Sequence, residues 1–470
     1  MMSDTPPATQ NFPLSRRPSD RFYSRLQWLM LGLLALLILY SFVLLPHYPV
    51  SRPVGFRLVI FSLVCLNGLW WSVADRRFAR FIRSAGASRF LRLGTAGFGI
   101  ALNIPIAYML IAGRMPQFIR SPTWYAGAVT LWHLGLAFCL PIVAGLRLFV
   151  LAVEGVWRRV RSTNPSPTQP QDRQSTDAVS NDAELLTRRK LLKTAFATAP
   201  VLLLTGATAY GRAEEGELLI RRHKLPAPWL PDRLRGLTIT HVSDLHVGRL
   251  YRPYLLPRLV DVVNGLDSDI VLVTGDIIDN SNDMLPAAVS AIGQFRHRHG
   301  LFVCIGNHDE IDDRAAFIRY TRDQLPLLIN ERRSIEIGGE RITIAGLDYS
   351  SSPQPRGRRL GDVAAAEEML LGHRVEREGP VIALAHHPHA FDTMAPLGVP
   401  LTLSGHTHGG QIMLTPPGMR PDLGLGQILF HYIRGFYRQG ASDLFVNSGV
   451  GNWFPLRIQA PAEVVQIQLV

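Results

Sequence analysis

"LTLSGHTHGGQI", residues 401–412, sets an apolar, strand-like run directly before Gly405 and then two histidines one residue apart. Four other stretches of the C-terminal half are built the same way. "LTITHVSDLHVG" (237–248) leads to Asp244 and His246, and "DIVLVTGD" (269–276) to Asp276. "GLFVCIGNHDE" (300–310) leads to Asn307, His308 and Asp309, and "PVIALAHHPH" (380–389) to His386 and His387. Short apolar runs ended by Gly or polar residues read as buried strands, and "RITIAGL" (341–347) and "DLFVNSG" (443–449) add two more. Helical candidates at 254–265, 284–297, 313–323 and 362–371 alternate with them, so the order reads as an α/β sandwich.

Polar residues in loops just beyond strand ends can converge on one crevice. Mixed oxygen and nitrogen donors suit divalent ions such as Mn, Fe or Zn. Two such ions about 4 Å apart can clamp the attacking and leaving oxygens of a phosphoryl group. Singly, each piece has a plainer reading: Asp-x-His as a polar loop, Gly-Asn-His-Asp as a turn, His386 as a hydrogen-bonded core histidine. Five in order, each closing a strand, point to one site.

In that order the motifs DxH, GD, GNHD, a lone H and GHxH resemble the calcineurin-like metallophosphoesterase superfamily over residues 232–470. An export-like segment together with "SDLHVG", "GNHD", "AHHP" and "GHTHGGQ" is similar to its membrane-associated bacterial branch of YaeI and YkuE type. The resemblance implies a four-layer α/β/β/α sandwich and a metal-dependent phosphoric ester hydrolase with two divalent ions. It implies one ion held by Asp244, His246, Asp276 and His408, and a second by Asp276, Asn307, His386 and His406, with Asp276 bridging. His308 takes the place of a catalytic histidine that stabilises the transition state or protonates the leaving group, and Asp309 is placed to orient it.

The N-terminal part has another character. Four apolar stretches, 26–46, 54–74, 94–113 and 124–151, have the length of about 20 residues that a bilayer requires. Arginines cluster before the first, between the second and third, and after the fourth (Arg158, Arg159, Arg161), a pattern that predicts four transmembrane helices over 1–161 with both ends in the cytoplasm. The competing reading of the same runs is a buried helical bundle. A carrier would retain ionisable groups in mid-membrane; His133 is the one candidate, so the unit reads as an anchor.

Residues 162–187 form a polar linker rich in Pro, Ser, Thr and Gln. "TRRKLLKTAFATAPVLLLTGATAYG" follows, with Arg188, Arg189 and Lys190 before an apolar run, the layout of an export signal. It resembles a twin-arginine signal, or reads as a fifth helix, over 188–211. Either one predicts a bacterial inner-membrane protein whose catalytic domain, 212–470, lies on the extracytoplasmic side, where phospholipid or nucleotide-linked glycolipid head groups are substrates within reach.

The net charge of +12 comes from the N-terminal part, and acids slightly outnumber bases beyond Arg161, so a nucleic-acid partner is not expected. Three cysteines without a CxxC pair exclude a disulfide framework. The alternative to an enzyme is a membrane receptor or scaffold that binds a phosphorylated ligand, which missing ligands would favour. "PRGRR" (355–359) reads as a solvated loop or a grip for anionic head groups, and Arg457 as a surface residue or a substrate contact.

Overall fold

A computed structural model describes residues 218–470 apart from 249, 252, 350–378, 414, 416–423, 425 and 453–455. Of the preceding chain it describes 61–72, 74, 75, 85–112, 128, 129, 131–133 and 135, with single positions at 25, 29, 32, 205, 206 and 209. The chain divides into two compact units, Met1–Gly206 and Ala207–Val470.

In the first unit the longest described helix is α1 (Ala85–Ala112). Among the described residues no helix is long and apolar enough to cross a membrane. That overturns the expected four-helix transmembrane unit, and with it the multi-pass inner-membrane localisation. Leu66, Trp70, Ala74, Leu102, Val129 and Trp132 bury one another, with the Trp70 and Trp132 rings edge to face at 4.5 Å. Polar groups are built into the same packing: Trp132 Nε1 donates to Asn67 Oδ1 at 2.7 Å, and Arg92 pairs with the buried Asp75 at 2.7 Å. Run length alone does not report what a run packs against. The linker and the expected signal or fifth helix lie outside the described residues, save for isolated positions.

In the second unit the strands are β1 (Leu218–Leu225), β2 (Thr238–Val242), β3 (Ile270–Thr274), β4 (Gly300–Cys304), β5 (Leu327–Leu328) and β6 (Glu331–Ile337). They continue as β7 (Glu340–Gly346), β8 (Val381–Leu384), β9 (Leu401–Ser404), β10 (Gly435–Gln439), β11 (Ser442–Val446) and β12 (Ala462–Leu469). One sheet has the order β1-β12-β2-β3-β4-β5 and the other β10-β11-β9-β8-β7-β6. β2 to β5 run parallel in the first sheet, as do β7, β8, β9 and β11 in the second.

Alternation along the strands builds the layers. Ile270 and Leu272 of β3 face inward, where they join Ile239, Phe302, Ile344, Leu384 and Leu403 in a core shared by both sheets. Val271 and Val273 point outward, to α2 (Leu256–Asn264), α3 (Leu285–Ile292) and α4 (Arg314–Arg322). α2 buries Leu256, Leu259, Val260 and Val263, one helical face at i, i+3, i+4 and i+7. At the start of α4, Asp313 accepts the Ala316 N–H at 2.9 Å as an N-cap. Across the other sheet, Ala345 and Ala383 pack on Met394 of the short α5 (Phe391–Met394). The C-terminal unit is thus a four-layer sandwich, and the carboxyl ends of β2, β3, β4, β8 and β9 carry the motif loops.

Candidate metal centre

Three of the motif loops turn sharply where their strands end. Asp244, His246, Asp276, His406 and His408 all adopt left-handed backbone, with φ of 51°, 45°, 51°, 72° and 50°. Such residues cost on the order of 1–3 kcal/mol each and collect at functional sites. The turn swings successive side chains inward instead of to alternate faces. Glycines make room for the crossing loops: a Cβ on Gly306 would fall on the Asp276 backbone and carboxylate, and one on Gly405 would fall on Ser243 and Asp244.

Two donor sets result, joined at one atom. In the first, His408 Nε2 lies 3.3 Å from Asp244 Oδ1 and 3.0 Å from His246 Nε2. In the second, His386 Nε2 lies 3.1 Å from Asn307 Oδ1 and 3.2 Å from His406 Nδ1. Asp276 Oδ2 faces both sets, 3.3 Å from His246 Nε2 and 3.1 Å from His386 Nε2. Asp276 Oδ1 is occupied separately by the His308 N–H at 2.8 Å. Structure therefore brings together all seven residues that the motifs single out as ligands.

Their chemistry fits divalent cations. Imidazole nitrogens and carboxylate oxygens point at one another within 4.8 Å in the triads Asp244/His246/His408 and Asp276/His386/His406. Two imidazole nitrogens 3.0 Å apart satisfy each other only if one holds a proton, whereas a cation satisfies every lone pair at once. The supporting contacts agree. His386 Nδ1 meets the Thr274 carbonyl at 2.7 Å and must be the protonated nitrogen there, which leaves Nε2 as the donor atom.

Burial acts on every group. It holds His406 and His408 well below the usual histidine range, helped by His387 and His386 for the one and by His246 and Arg457 for the other, so both are neutral donors. Burial also works to lower His386, but the Asp276 carboxylate outweighs it and raises the ring to about 9. Asp276 itself would be raised by burial, yet His386, His246 and His308 hold it well below the carboxylate range.

His308 is a partly exposed imidazole beside Asp276, with 20% of its side chain accessible. Its Nδ1 lies 2.5 Å from the Asp279 carbonyl and 3.6 Å from Asp279 Oδ1. The Asp309 contacts are different from the orienting role expected for it. Its Oδ1 accepts the Ile277 and Ile278 N–H groups at 2.8 and 3.2 Å, and its Oδ2 accepts the Gly306 N–H at 2.8 Å. Asp309 ties the GD loop to the GNHD loop, and orienting His308 falls to Asp279. Burial and the charge on Asp276 push Asp309 up to about 7. Asp279 escaped the motif reading, although its place three residues after Asp276 in "GDIID" was the available signal.

Arg457 is not at the surface. It is fully buried. Its guanidinium donates to the carbonyls of Ser448 (2.9 Å), Ala460 (2.8 Å), Gly449 (3.2 Å) and Gly451 (2.5 Å) and to Asn452 Oδ1, and Nη2 stands 3.4 Å from His408 Nδ1. The loop so gathered returns to the site, where Gly451 N–H donates to the Asp244 carbonyl at 2.7 Å. Tyr349 and Phe430 wall the His386/His406 side, with ring centroids 6.1 and 5.4 Å from His406. Buried His387 accepts the His389 N–H at 3.2 Å and is lowered to about 3 by burial and by His389 and His386. The "PRGRR" segment lies outside the described residues.

Known proteins resemble this chain. The calcineurin-like phosphoesterase family profile matches residues 237–410. An uncharacterized metallophosphoesterase of Helicobacter pylori is 30% identical over 290 residues, covering 61% of this chain and 73% of that protein. A protein of Danio rerio named as a transmembrane protein with metallophosphoesterase domain is 31% identical over 255 residues, covering 52% of this chain and 56% of its own length. The uncharacterized metallophosphoesterase YkuE of Bacillus subtilis is 27% identical over 293 residues, 60% of this chain and 98% of YkuE. By that profile and that relatedness, the chain belongs to the calcineurin-like phosphoesterase family.

Proposed function

We propose that this chain hydrolyses phosphoester bonds at a dinuclear centre of divalent cations. Asp244, His246, Asp276 and His408 hold one cation, and Asp276, Asn307, His386 and His406 hold the other. The carrying observation is Asp276 Oδ2, which faces both donor sets at 3.3 and 3.1 Å. When bound, such a pair supplies charge neutralisation for the phosphoryl oxygens and an activated water. The chain's own residues do the rest. His308 gives Nδ1–H to the Asp279 carbonyl and keeps Nε2 for the substrate, with the Asp279 carboxylate 3.6 Å from the same Nδ1. A protonated His308 delivers its Nε2 proton to the departing alkoxide. Tyr349 and Phe430 limit water on the His406 side and strengthen local electrostatics.

All seven donor positions are filled, which supports turnover over a purely binding role. The lipid head-group expectation rested on the membrane unit and loses its footing with it, so the substrate class proposed is a phosphoester without further specification. Metal content of the full chain, measured beside hydrolysis of p-nitrophenyl phosphate and bis-p-nitrophenyl phosphate before and after chelation, tests the reading. Two ions per chain and activity restored by Mn²⁺ are expected. Activity indifferent to chelation overturns it.

A further inference from the structure

A row of buried polar side chains runs from the sandwich interior to Asp244. His241 Nε2 lies 2.8 Å from Thr274 Oγ1, Thr274 Oγ1 lies 2.7 Å from Ser243 Oγ, and Ser243 Oγ lies 2.6 Å from Asp244 Oδ2. None of the four residues has exposed surface.

The direction of this row is forced from the Asp244 end. As a cation ligand Asp244 is a carboxylate and only accepts, and each hydroxyl has a single proton to give. Ser243 donates to Asp244 Oδ2, which is nearer than its other acceptor, the Thr274 carbonyl at 3.3 Å. Thr274 then donates to Ser243. With its proton spent, Thr274 Oγ1 has to accept one from His241 Nε2–H. That leaves His241 as the neutral Nε2–H tautomer with Nδ1 bare, and Nδ1 indeed has no hydrogen-bond partner among the described residues. Burial, which pushes His241 down to about 3, favours the same neutral form.

The surroundings preserve the row. Gly405 leaves the volume that Ser243 Oγ and Asp244 Oδ2 occupy. Asn447 Nδ2 donates to the His241 carbonyl at 3.1 Å and ties β2 to the end of β11. The Thr274 carbonyl accepts His386 Nδ1–H, so one threonine serves both donor sets. At the far end, Asp244 Oδ1 is the oxygen that faces His408 and His246, at 3.3 and 3.9 Å.

We propose that His241 is a positioning residue for the metal centre, the head of a one-way donor relay through Thr274 and Ser243 that occupies Asp244 Oδ2 and leaves Oδ1 for the cation of the His246/His408 set. The inference rests on the dinuclear reading above. Without the His241 donor the Thr274 and Ser243 hydroxyls are free to turn to other acceptors; Asp244 keeps the His406 N–H, 3.0 Å from both its oxygens, and loses the bond that distinguishes Oδ2 from Oδ1.

The test uses the full chain stripped of metal and titrated calorimetrically with Mn²⁺, with turnover of bis-p-nitrophenyl phosphate followed in parallel. Thr274→Val removes the middle hydroxyl at nearly constant volume, His241→Leu removes the head, and His241→Gln returns an N–H donor near the Nε2 position. Thr274→Val and His241→Leu should each weaken one of the two Mn²⁺ sites by ~10- to 100-fold, the scale of a lost ligand-orienting partner. The double variant should be no weaker than either single one, and His241→Gln should recover most of the loss. Wild-type Mn²⁺ affinity in Thr274→Val, additive losses, or a Gln variant no better than Leu each overturns the relay. Should His241→Leu fail to fold, Ser243→Ala combined with Thr274→Val supplies the same non-additivity. A wild-type chain that binds no Mn²⁺ removes the dinuclear reading and the relay together, whereas two bound ions with an unaffected Thr274→Val remove the relay alone.

Discussion

Asp279 meets His308 twice at one nitrogen: its backbone carbonyl lies 2.5 Å from His308 Nδ1, and its carboxylate Oδ1 lies 3.6 Å from the same atom. The same Oδ1 stands 3.7 Å from His246 Nδ1, on the edge of the first donor set. One residue thereby couples the proposed general acid to a proposed metal ligand.

Replacing His308 by Gln should lower kcat by ~10²- to 10⁴-fold, the contribution of a positioned proton donor. Metal content should stay at two ions per chain, because Nε2 is reserved for the substrate. Elemental analysis beside steady-state kinetics checks this, and metal lost in step with activity would make His308 a ligand.

Asp279→Asn retains the backbone carbonyl and removes only the carboxylate charge. kcat should fall by about 10-fold or more, since the ring loses the carboxylate that faces its Nδ1 at 3.6 Å. An unchanged kcat would assign the orientation of His308 to the carbonyl alone.

Asp276→Asn should reduce turnover to background with the thermal unfolding transition of the metal-free protein retained. An amide lacks the charge and the second anionic oxygen that two cations share. Turnover near wild type with two bound ions would refute the bridging role.

Cation binding should release protons. In the metal-free protein His386 is raised to about 9, burial opposing and Asp276 prevailing, so a cation at Nε2 has to displace a proton at neutral pH. The raised value means that His386 stabilises the metal-free fold fully below its unfolded value near 6.5, with the contribution lost as pH rises through about 9. Cation affinity runs the opposite way and should rise with pH across that window. Calorimetry in buffers of different ionisation enthalpy counts the protons; affinity flat from pH 6.5 to 9 would contradict the assignment.

Arg457→Met should destabilise the fold by about 3 kcal/mol or more, since it leaves several buried carbonyls without donors. Urea unfolding measures the loss. A change below ~1 kcal/mol would mean that the 448–451 loop is held by its other contacts.

Much of the fold was legible because each motif strand is short, apolar and closed by Gly or a polar residue. The expected strands at 237–242, 269–275 and 300–306 correspond to β2, β3 and β4, and the helices at 254–265 and 313–323 to α2 and α4. β1 and β6 left no such mark. "LLIRRHKL" and "ERRSIEI" border their sheets and expose charged residues on part of their surface, so no apolar run announces them. At the N-terminus the same reliance on runs misled, since among the described residues no helix is long and apolar enough to cross a membrane.

The sequence by itself determined which residue types stand beyond which strands, because strand termination and turn chemistry are local and the donor set follows from them. Only the tertiary structure decided what those residues meet. Asp309 reaches back about thirty positions to Ile277 and Ile278, Asp279 crosses to His308, and Arg457 closes over His408 from the end of the chain. The physical reason is that a hydrogen bond between loops of different strands depends on where two sheets bring their carboxyl ends together, a distance that no spacing along the chain records.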